Sequence, residues 1–481
     1  MEGVTFHWHG AHQRGTPGMD GPAMITQCPI PHATTFVYNF EAEPSGTFFW
    51  HSHVASHRAD GLAGALIVRE PLSEDPSSPE YDEDLTRHIL FIQEGNYFMQ
   101  SVTYPEYLFG SGVALPDFLV VNGRGKHFPH KDYENRDIFT PRAMVYVTQG
   151  VKSRIRVISN GYTQCRLKVT IDKHRLTLIA TDGYPVEPVE FDSVILSGGE
   201  RFDFVLNANQ EIDNYWLRVQ GVGDTVCDFG AGICCTDFAE YAIVRYNGAP
   251  RQEPEDQPIN SEDEIIVNSH FHDDGDNFIE LSTLTSLEPY DSPPGERTTY
   301  YLSVGVNQLP GKASHIRNGM PQINRITFAY PPGPVLTQSQ EMEDTLFCQI
   351  QDYKQRCEEE FCSCTQYVKA RYNETVELFF YNTGANPEWC HPIHVHGYSV
   401  RVVARGRLEP QYYSPPMLEQ MDREGMFPRI TPAETTAVKD TICVGGSSYL
   451  ILEFVADNIG WWFVHCHLDY DNMVNTSFNS I

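Results

Sequence analysis

The sequence predicts an all-β protein of three domains, and three observations carry this prediction. The chain has 481 residues, which allows about three domains at roughly 150 residues each. It contains 36 Gly and 32 Pro, and Val, Thr, Tyr and Phe recur in short runs, which favours strands and turns over helices. These runs alternate with turn signals along most of the chain, a pattern typical of β-sandwiches and barrels.

Stretches of polar, proline-rich composition separate the predicted domains. The first domain covers residues 1–84 and ends in a Pro/Ser/acidic connector, and the second covers residues 85–248. Residues 249–262 are polar, acidic and proline-rich, as linkers are. The third domain is predicted to cover residues 263–481.

The charge and the cysteine content of the chain exclude some classes of partner and favour one cellular compartment. There are 34 Lys and Arg residues against 64 Asp and Glu residues, so the net charge is −30, and the surface should repel nucleic-acid backbones and anionic membranes. No apolar run approaches the roughly 18 residues that a membrane helix needs. Twelve cysteines favour an oxidising compartment. We therefore predict an extracellular (secreted) protein with no nucleic-acid partner and no membrane span.

Nine of the nineteen histidines lie in four short motifs, each with a His-x-His pair. The motifs are His7-Trp8-His9-Gly10, Trp50-His51-Ser52-His53, His391-Pro392-Ile393-His394-Val395-His396-Gly397 and Trp462-Phe463-Val464-His465-Cys466-His467. On a strand, residues i and i+2 point to the same face, so each pair presents two imidazoles to one point. Four pairs supply eight imidazoles, enough for three metal ions with positions left open for a small ligand such as dioxygen.

Cys466 adds a second kind of ligand to the last motif. It lies between His465 and His467 in the sequence but on the opposite face of the strand, so its thiol can bind a different metal ion. Cysteine with imidazole is the ligand set of a blue-copper electron-transfer site, and His391, three residues before His394, is the natural partner. A single His-x-His pair most often arises by chance, but four pairs in one chain are not explained in this way. Zinc also binds imidazole, but a structural zinc site needs only four ligands. The whole set therefore indicates a multinuclear redox centre.

The four motifs, in this order and at these ends of the chain, resemble those of the multicopper oxidases, and more closely those of the laccases of animals. Further likeness to the first two laccase domains lies in His12-Gln13-Arg14-Gly15-Thr16-Pro17 through Asp20-Gly21, Thr26-Gln27-Cys28-Pro29-Ile30, Arg58-Ala59-Asp60-Gly61-Leu62, Val121-Asn122-Gly123-Arg124-Gly125 and Gly198-Gly199-Glu200-Arg201-Phe202-Asp203. The resemblance covers nearly the whole chain. It implies three cupredoxin-like β-sandwich domains, with a mononuclear type 1 copper in the last domain and a trinuclear copper cluster between the first and the last.

Carried over by motif position, the resemblance also implies the copper ligands. These are His7 and His394 for the type 2 copper; His9, His51, His53, His396, His465 and His467 for the type 3 pair; and His391 and Cys466 for the type 1 copper. The implied reaction is one-electron oxidation of a phenol or similar donor at type 1, electron transfer through Cys466 to its flanking histidines, and reduction of dioxygen to water after four electrons.

Two carboxylates match residues with catalytic roles in the family. Asp20 matches an acidic residue that helps deliver protons near the cluster, although an Asp before Gly21 also suits a turn. Asp172 resembles the carboxylate that orients a phenolic substrate in some laccases, and an ordinary Asp at the end of a strand is the alternative.

The last motif departs from the family pattern at the type 1 site. The position five residues after the cysteine, where the family has a second type 1 histidine, is Asp471. The axial position ten residues after it is Thr476, where the family has Met, Leu or Phe, and Asn475 replaces the usual Gly. A carboxylate is a harder ligand than imidazole and suits a Cu(I)/thiolate site poorly. We therefore expect loss of the intense blue band and slow or absent phenol oxidation, with the oxygen chemistry of the trinuclear cluster retained.

Both ends of the chain differ from those of the family. Family members place several strands before the first histidine motif, which begins here at His7, and they continue past the point where this chain stops at Ile481. The residues after Met1 hold no charged n-region, apolar core or cleavage site. The expectation is a partial chain: a first domain without its N-terminal strands, a last domain without its final segment, and a signal peptide missing from this chain.

The remaining cysteines and two triplets support the secreted interpretation. Setting Cys466 aside leaves an odd number, and we favour disulfides over zinc for a cluster of four: Cys348, Cys357, Cys362 and Cys364. Asn373-Glu374-Thr375 and Asn475-Thr476-Ser477 are glycosylation acceptors in a secreted chain.

The leading function is that of a laccase-like, copper-dependent oxidoreductase with dioxygen and a small phenolic or other one-electron donor as partners. One alternative is a catalytically impaired copper-binding laccase relative, which Asp471 favours. The other is a ferrous-iron oxidase, with which the acidic surface is compatible. No feature of the sequence indicates the oligomeric state.

Overall fold

A computed structural model describes most of the chain. The described residues are 2–109, 115–125, 130–131, 137–138, 140–223, 226–228, 232–255, 263–268, 277–288, 297–307, 320–350, 357, 359–409, 411–430, 435–469 and 477–480. They form mainly strands, with three α-helices and single 3-10 turns at Pro17–Met19, Ser78–Glu80, Thr86–His88, Cys235–Asp237, Leu281–Thr283, Ser339–Glu341 and Asp344–Leu346. The all-β prediction is confirmed. None of the helices in these ranges has the length and apolar character needed to cross a membrane.

The first region is a three-stranded antiparallel sheet of β1 (Phe6–His9), β2 (Gly46–Ser52) and β3 (Ala63–Val68), in that order. Along β1 the residues alternate between half-buried aromatic side chains and buried histidines. The register pairs His7 with His51 and Trp8 with Trp50. Because paired residues share a face, the histidines of the first two motifs lie on one side of the sheet and the aromatic residues on the other.

The second region is built mainly from two sheets, with β6-β7 and β16-β17 as separate two-stranded pairs. Its elements are β4 (Ile89–Gly95), α1 (Gln100–Phe109), β5 (Phe118–Val121), β6 (His130–Lys131), β7 (Asp137–Ile138), β8 (Met144–Val147), β9 (Lys152–Asn160), β10 (Arg166–Ile171), β11 (Leu176–Thr181), β12 (Tyr184–Phe191), β13 (Ser193–Leu196), β14 (Arg201–Asn207), β15 (Asn214–Val222), β16 (Cys227–Asp228), β17 (Ile233–Cys234), β18 (Ala239–Tyr246), β19 (Ile266–Val267) and β20 (Phe278–Ile279). One sheet has the order β20-β19-β13-β10-β15-β18-β8 and the other β12-β11-β14-β9-β4-β5. Fully buried side chains from both sheets, such as Leu217 and Phe204, pack into one core.

Strands β19 and β20 follow the predicted linker but belong to the second region's larger sheet. Ser193 of β13 pairs in parallel with Ile266, and Val194 with Val267. The sheet therefore continues past residue 262, where the sequence predicts the start of the third domain. Short parallel strands add to an exposed sheet edge through backbone hydrogen bonds, which composition does not reveal. The domain bounds themselves stay a prediction.

The third region contains the last two histidine motifs. Its elements are β21 (Arg297–Asn307), β22 (Met320–Ile323), β23 (Ile326–Phe328), α2 (Val335–Gln338), β24 (Phe347–Gln349), β25 (Cys362–Val368), β26 (Thr375–Asn382), β27 (Cys390–Val395), β28 (Val400–Arg407), α3 (Pro415–Arg423), β29 (Val438–Lys439), β30 (Thr441–Gly445), β31 (Ser448–Val455), β32 (Trp462–Cys466) and β33 (Ser477–Ser480). Twelve of these strands connect in one path, with β27 between β30 and β32, and β24 lies off the path and pairs with β25. The register pairs His394 with His465, which brings the two motifs side by side.

Five disulfides link cysteines of the second and third regions. They are Cys165–Cys235, Cys227–Cys234, Cys348–Cys364, Cys357–Cys362 and Cys390–Cys443. The prediction of disulfides rather than zinc for the four-cysteine cluster is therefore confirmed. Cys28 is exposed and Cys466 is buried, and neither forms a disulfide.

Candidate metal centre

Eight histidines of the four motifs converge into three buried groups. The groups are His7, His9 and His394; His9, His51 and His467; and His53, His396 and His465. In each group the ring nitrogens lie within 4.8 Å of one another. The structure thus brings together the eight histidines that the sequence assigns to a multinuclear centre.

The first and third regions meet through stacked imidazole rings. The centroid of the His7 ring lies 3.8 Å from that of His396, and the centroid of the His9 ring lies 3.7 Å from that of His394. One member of each pair comes from β1 and the other from the third motif, at the end of β27. The centre therefore lies between the two regions, and neither region forms it alone.

Backbone carbonyl groups orient several of these rings. His51 and His465 each donate from Nδ1 to the carbonyl oxygen of the next residue at 2.9 Å. His394 donates from Nδ1 to the carbonyl oxygen of Asp440 at 3.0 Å. A carbonyl oxygen only accepts, so Nδ1 carries the proton in each ring and the lone pair of Nε2 is left for another partner.

His9 has the opposite orientation. Its Nε2 lies 3.0 Å from the Asp440 carboxylate and 2.9 Å from the Thr441 hydroxyl. Its buried Nδ1 has no hydrogen-bond partner, and the same holds for Nε2 of His51 and Nε2 of His467. Unpaired buried nitrogens are costly unless something binds them, and these three atoms belong to one histidine group. A metal ion with imidazole ligands fits this arrangement.

Burial also keeps these imidazoles in the form that binds metal. It lowers the pKa well below the ordinary value of 6.5, and neighbouring histidines add to the effect, for His9, His51, His53, His396, His465 and His467. Burial lowers the pKa of His394 as well. Neutral imidazole is the metal-binding form, so the centre is ready to bind metal ions at neutral pH.

A buried ion pair between Arg201 of the second region and Asp440 of the third supports His9 and His394, and sequence reasoning missed it. Arg201 is fully buried, donates from Nη1 to Asp440 at 2.6 Å and makes a second, shorter bond to the same carboxylate from Nη2. Burial would raise the pKa of Asp440, but Arg201 and His9 hold it well below its usual range. Arg201 falls within a stretch that resembles laccases, whereas no pattern in the sequence marks Asp440.

Arg58 connects all three regions beside the centre. It donates from Nε to Asp469 at 2.9 Å, from Nη2 to the carbonyl oxygen of His467 at 2.7 Å and from Nη1 to that of Gly161 at 2.9 Å. The Ala59 amide donates to the second carboxylate oxygen of Asp469 at 3.2 Å. The guanidinium therefore fixes the chain around His467 against the other two regions.

The free energy of unfolding should depend on pH because of Glu94, a buried carboxyl group that is not one of the proposed metal ligands. The carboxylate is fully buried and accepts from the amides of Tyr162 and Thr163 at 2.8 Å each. Burial raises its pKa from the ordinary 4.5 to about 7. The unfolded chain then loses this proton at a lower pH than the folded chain. The free energy of unfolding should therefore fall between about pH 4.5 and pH 7, by up to about 3 kcal/mol, and then level off.

Urea unfolding of the wild type and of Glu94→Gln across pH 4.5 to 8 measures this effect. As the pH rises, the wild type should lose free energy of unfolding relative to Glu94→Gln, because the amide of the variant does not titrate. A difference that stays constant over this range would contradict the raised pKa.

The two predicted catalytic carboxylates occupy different surroundings. Asp20 is buried at the centre, where its carboxylate accepts from Nδ1 of His396 at 2.9 Å and its carbonyl oxygen accepts from Nδ1 of His7 at 2.9 Å. Asp172 is buried in the second region and binds Arg218 through two hydrogen bonds of 2.8 Å. The roles of both residues stay predictions.

The predicted type 1 ligands that the structure describes lie next to each other. Nδ1 of His391 is 3.6 Å from Sγ of Cys466, and both residues are buried. They come from adjacent antiparallel strands, β27 and β32. Asp471, Asn475 and Thr476 lie outside the described residues, so the expectation for the altered type 1 position stays a prediction.

A cavity of about 390 Å³ opens onto the histidine groups. His51, His53, His465 and His467 form one side of it, and Arg58 with Asp469, Tyr104 and Tyr330 are among the residues on the others. Members of two of the three groups are thus accessible from a single space, as a centre that binds dioxygen requires.

Comparisons with known proteins agree with this site. Three family profiles, each described as multicopper oxidase, match residues 1–73, 92–249 and 329–476. The chain is 30% identical over 471 residues to a laccase of Trametes maxima, a match that covers 98% of this chain and 80% of that protein. It is also 30% identical over 471 residues to Laccase-2 of Agaricus bisporus, and this match covers 97% of this chain and 76% of that protein.

Solved structures share the fold. Fet3p, described as a multicopper oxidase that functions in iron import, aligns with a TM-score of 0.74 at 21% identity, over 100% of this chain and 80% of that chain. The laccase of Botrytis aclada aligns with a TM-score of 0.75 at 22% identity, over 100% of this chain and 78% of that chain. The predicted cupredoxin-like architecture is confirmed by these likenesses. The laccase relatives named here are fungal, so the closer resemblance to animal laccases is not confirmed.

Proposed function

Because this chain belongs to the multicopper oxidase family, a family of copper-dependent oxidoreductases, we propose that it couples one-electron oxidation of phenols or diphenols to the four-electron reduction of dioxygen to water. The observation that carries the proposal is the convergence of neutral, buried imidazoles whose unpaired nitrogens face one another between the first and third regions. Copper held by these residues would supply one-electron redox chemistry.

We assign the proposed copper positions to these three histidine groups, with His9 assigned to the second group alone. His7 and His394 would hold the type 2 ion; His9, His51 and His467 one ion of the type 3 pair; and His53, His396 and His465 the other. The orphaned Nδ1 of His9 and Nε2 of His51 and His467 support this assignment. His391 and Cys466 would hold the type 1 ion, and their 3.6 Å approach supports it.

The protein's own groups connect and serve these positions. Cys466 is covalently bonded to His465 and His467 through the backbone. The chain itself therefore joins the proposed type 1 site, where phenols would be oxidised, to the proposed trinuclear cluster, where dioxygen would be reduced. Asp20, hydrogen-bonded to His396, is proposed to hold a proton close to the centre. Asp172 is proposed to orient the phenol; the family resemblance supports this role, and Arg218 fixes its carboxylate.

Visible spectroscopy and oxygen consumption of the copper-loaded chain test the proposal together. Since Asp471 replaces the second type 1 histidine, we expect no intense band near ~600 nm, where blue-copper thiolate sites absorb. With a diphenol as donor, slow uptake of dioxygen at four electrons per molecule supports a working oxidase. An intense blue band would contradict the predicted effect of Asp471, and a chain that binds no copper would overturn the proposal.

Asp471 also favours the second candidate, a copper-binding relative without phenol oxidase activity. That candidate predicts copper binding without diphenol-dependent oxygen uptake. The third candidate, a ferrous-iron oxidase, predicts oxygen uptake with Fe²⁺ instead of a diphenol, and the acidic surface supports it. Oxygen consumption measured with a diphenol and then with Fe²⁺ as the donor distinguishes the three candidate functions.

We also propose that the protein is extracellular and glycosylated. The five disulfides of the structure support an oxidising compartment. Asn373 is exposed at the turn before β26, as a glycosylated residue must be. The second triplet begins at Asn475, outside the described residues.

A further inference from the structure

The cavity beside the histidine groups is larger than dioxygen needs. Its volume is about 390 Å³, whereas one water in the liquid, a molecule of similar size to dioxygen, takes up about 30 Å³. Sites for small organic molecules run from about 300 to 1,000 Å³ and combine apolar walls with a few polar groups. We propose that this cavity binds a neutral, monocyclic phenol next to the histidines, at a site separate from the proposed type 1 side.

The walls of the cavity suit an aromatic ring. Tyr104 and Tyr330 contribute two aromatic rings, and Met24 and Val54 add a thioether and a branched aliphatic group. Tyr330 is 44% exposed at the surface and packs edge-on against Phe328, with ring centroids 5.3 Å apart. Tyr330 therefore lines the cavity from a position that also reaches the surface, and the cavity offers a flat ring contacts with apolar side chains.

One buried ion pair provides the polar end of the cavity and selects an uncharged hydroxyl group. Asp469 and Arg58 both line the cavity and neutralise each other. The carboxylate accepts two bonds from Arg58 and one from the Ala59 amide. An ionised carboxylate offers about four acceptor positions, so one remains for the hydroxyl of a phenol. A phenolate or carboxylate ligand has no proton to donate to this acceptor, so the uncharged phenol is favoured.

Binding at this site has a consequence for the oxygen side. A ring in the cavity occupies the space through which His51, His53, His465 and His467 are reached. Binding alone is proposed here, so the site exists in the copper-free chain whether or not the chain oxidises phenols.

Fluorine NMR of 4-fluorophenol with the full chain tests the proposal, first copper-free and then copper-loaded under argon. We expect the fluorine line to broaden with the copper-free chain, and to broaden further with the loaded chain because Cu²⁺ is paramagnetic. Val54→Trp fills the cavity and should reduce the excess linewidth at least fivefold in both forms. Val37→Trp is the matched control, since Val37 is 72% exposed and does not line the cavity, and it should leave the linewidth unchanged.

A second variant keeps the result interpretable if Val54→Trp unfolds. Tyr330→Ala removes one ring face from a half-exposed position and should weaken binding about fivefold, as loss of an aromatic pair does. No broadening with the wild type, or equal broadening with the wild type and a folded Val54→Trp, would overturn the proposal. Absence of oxygen uptake in the separate diphenol assay would count against the proposed oxidase and leave this binding result standing.

Discussion

Asp440→Ala is expected to lower the free energy of unfolding of the copper-free chain by about 3 to 5 kcal/mol, the cost of breaking a buried ion pair. The Arg201 guanidinium would remain fully buried with its main counter-charge removed. Asp182, 3.6 Å from Arg201, is too far away to replace both bonds. Urea unfolding of the two chains measures the difference.

A double-mutant cycle controls for unrelated structural damage. Arg201→Met should cost a similar amount, because Asp440 then becomes the unpaired charge. The double variant Arg201→Met/Asp440→Leu should cost clearly less than the sum of the single variants, since an apolar pair needs no charge compensation. Strictly additive costs would show that the pair is not coupled.

The same substitution should weaken copper binding. The Asp440 carboxylate is the partner of Nε2 of His9, a bond that alanine removes. The bond from Nδ1 of His394 goes to the backbone carbonyl oxygen of residue 440 and remains. Loss of such an outer hydrogen-bond partner typically lowers metal affinity by 10- to 100-fold. Asp440→Asn keeps an oxygen acceptor and should lose less affinity than Asp440→Ala. Competition with a chelator measures both, and unchanged affinity in the alanine variant would contradict the assigned role.

Copper loading is expected to stabilise the folded chain strongly. The ligand groups take imidazoles from β1 and the third motif together, so a bound ion ties the first region to the third. At free copper 1,000-fold above the dissociation constant, each ion adds about 4 kcal/mol to the free energy of unfolding. Calorimetry before and after removal of copper with a chelator should therefore show a lower unfolding temperature in the stripped chain.

Ligand variants identify the source of this stabilisation. His51→Ala/His467→Ala removes two ligands from one group and should lose part of the copper-dependent shift. Cys28→Ala changes an exposed thiol distant in sequence from the four motifs and should keep the full shift. An equal shift in the histidine variant would place the stabilising copper elsewhere.

Much of the fold and the site could be predicted because their signals are local. Strand runs and turn residues identify an all-β chain, and the period of two in a strand places both histidines of each pair on one face. Disulfides could be expected for the cysteines of the third region, but their pairing could not. Cys348 pairs with Cys364 and Cys357 with Cys362 because of where β24 and β25 lie.

The sequence by itself determined which candidate ligands are present and how they are spaced, and it predicted that eight imidazoles and one thiol form a redox centre. Only the tertiary structure decided which of them lie close enough together to form each group, and that ring nitrogens of His9, His51 and His467 stay unpaired. His9 exposes Nδ1 because Asp440, 431 residues away, binds its Nε2. Asp440 is in turn held by Arg201 of another region. Contacts of this kind depend on how sheets pack, and no local pattern encodes them.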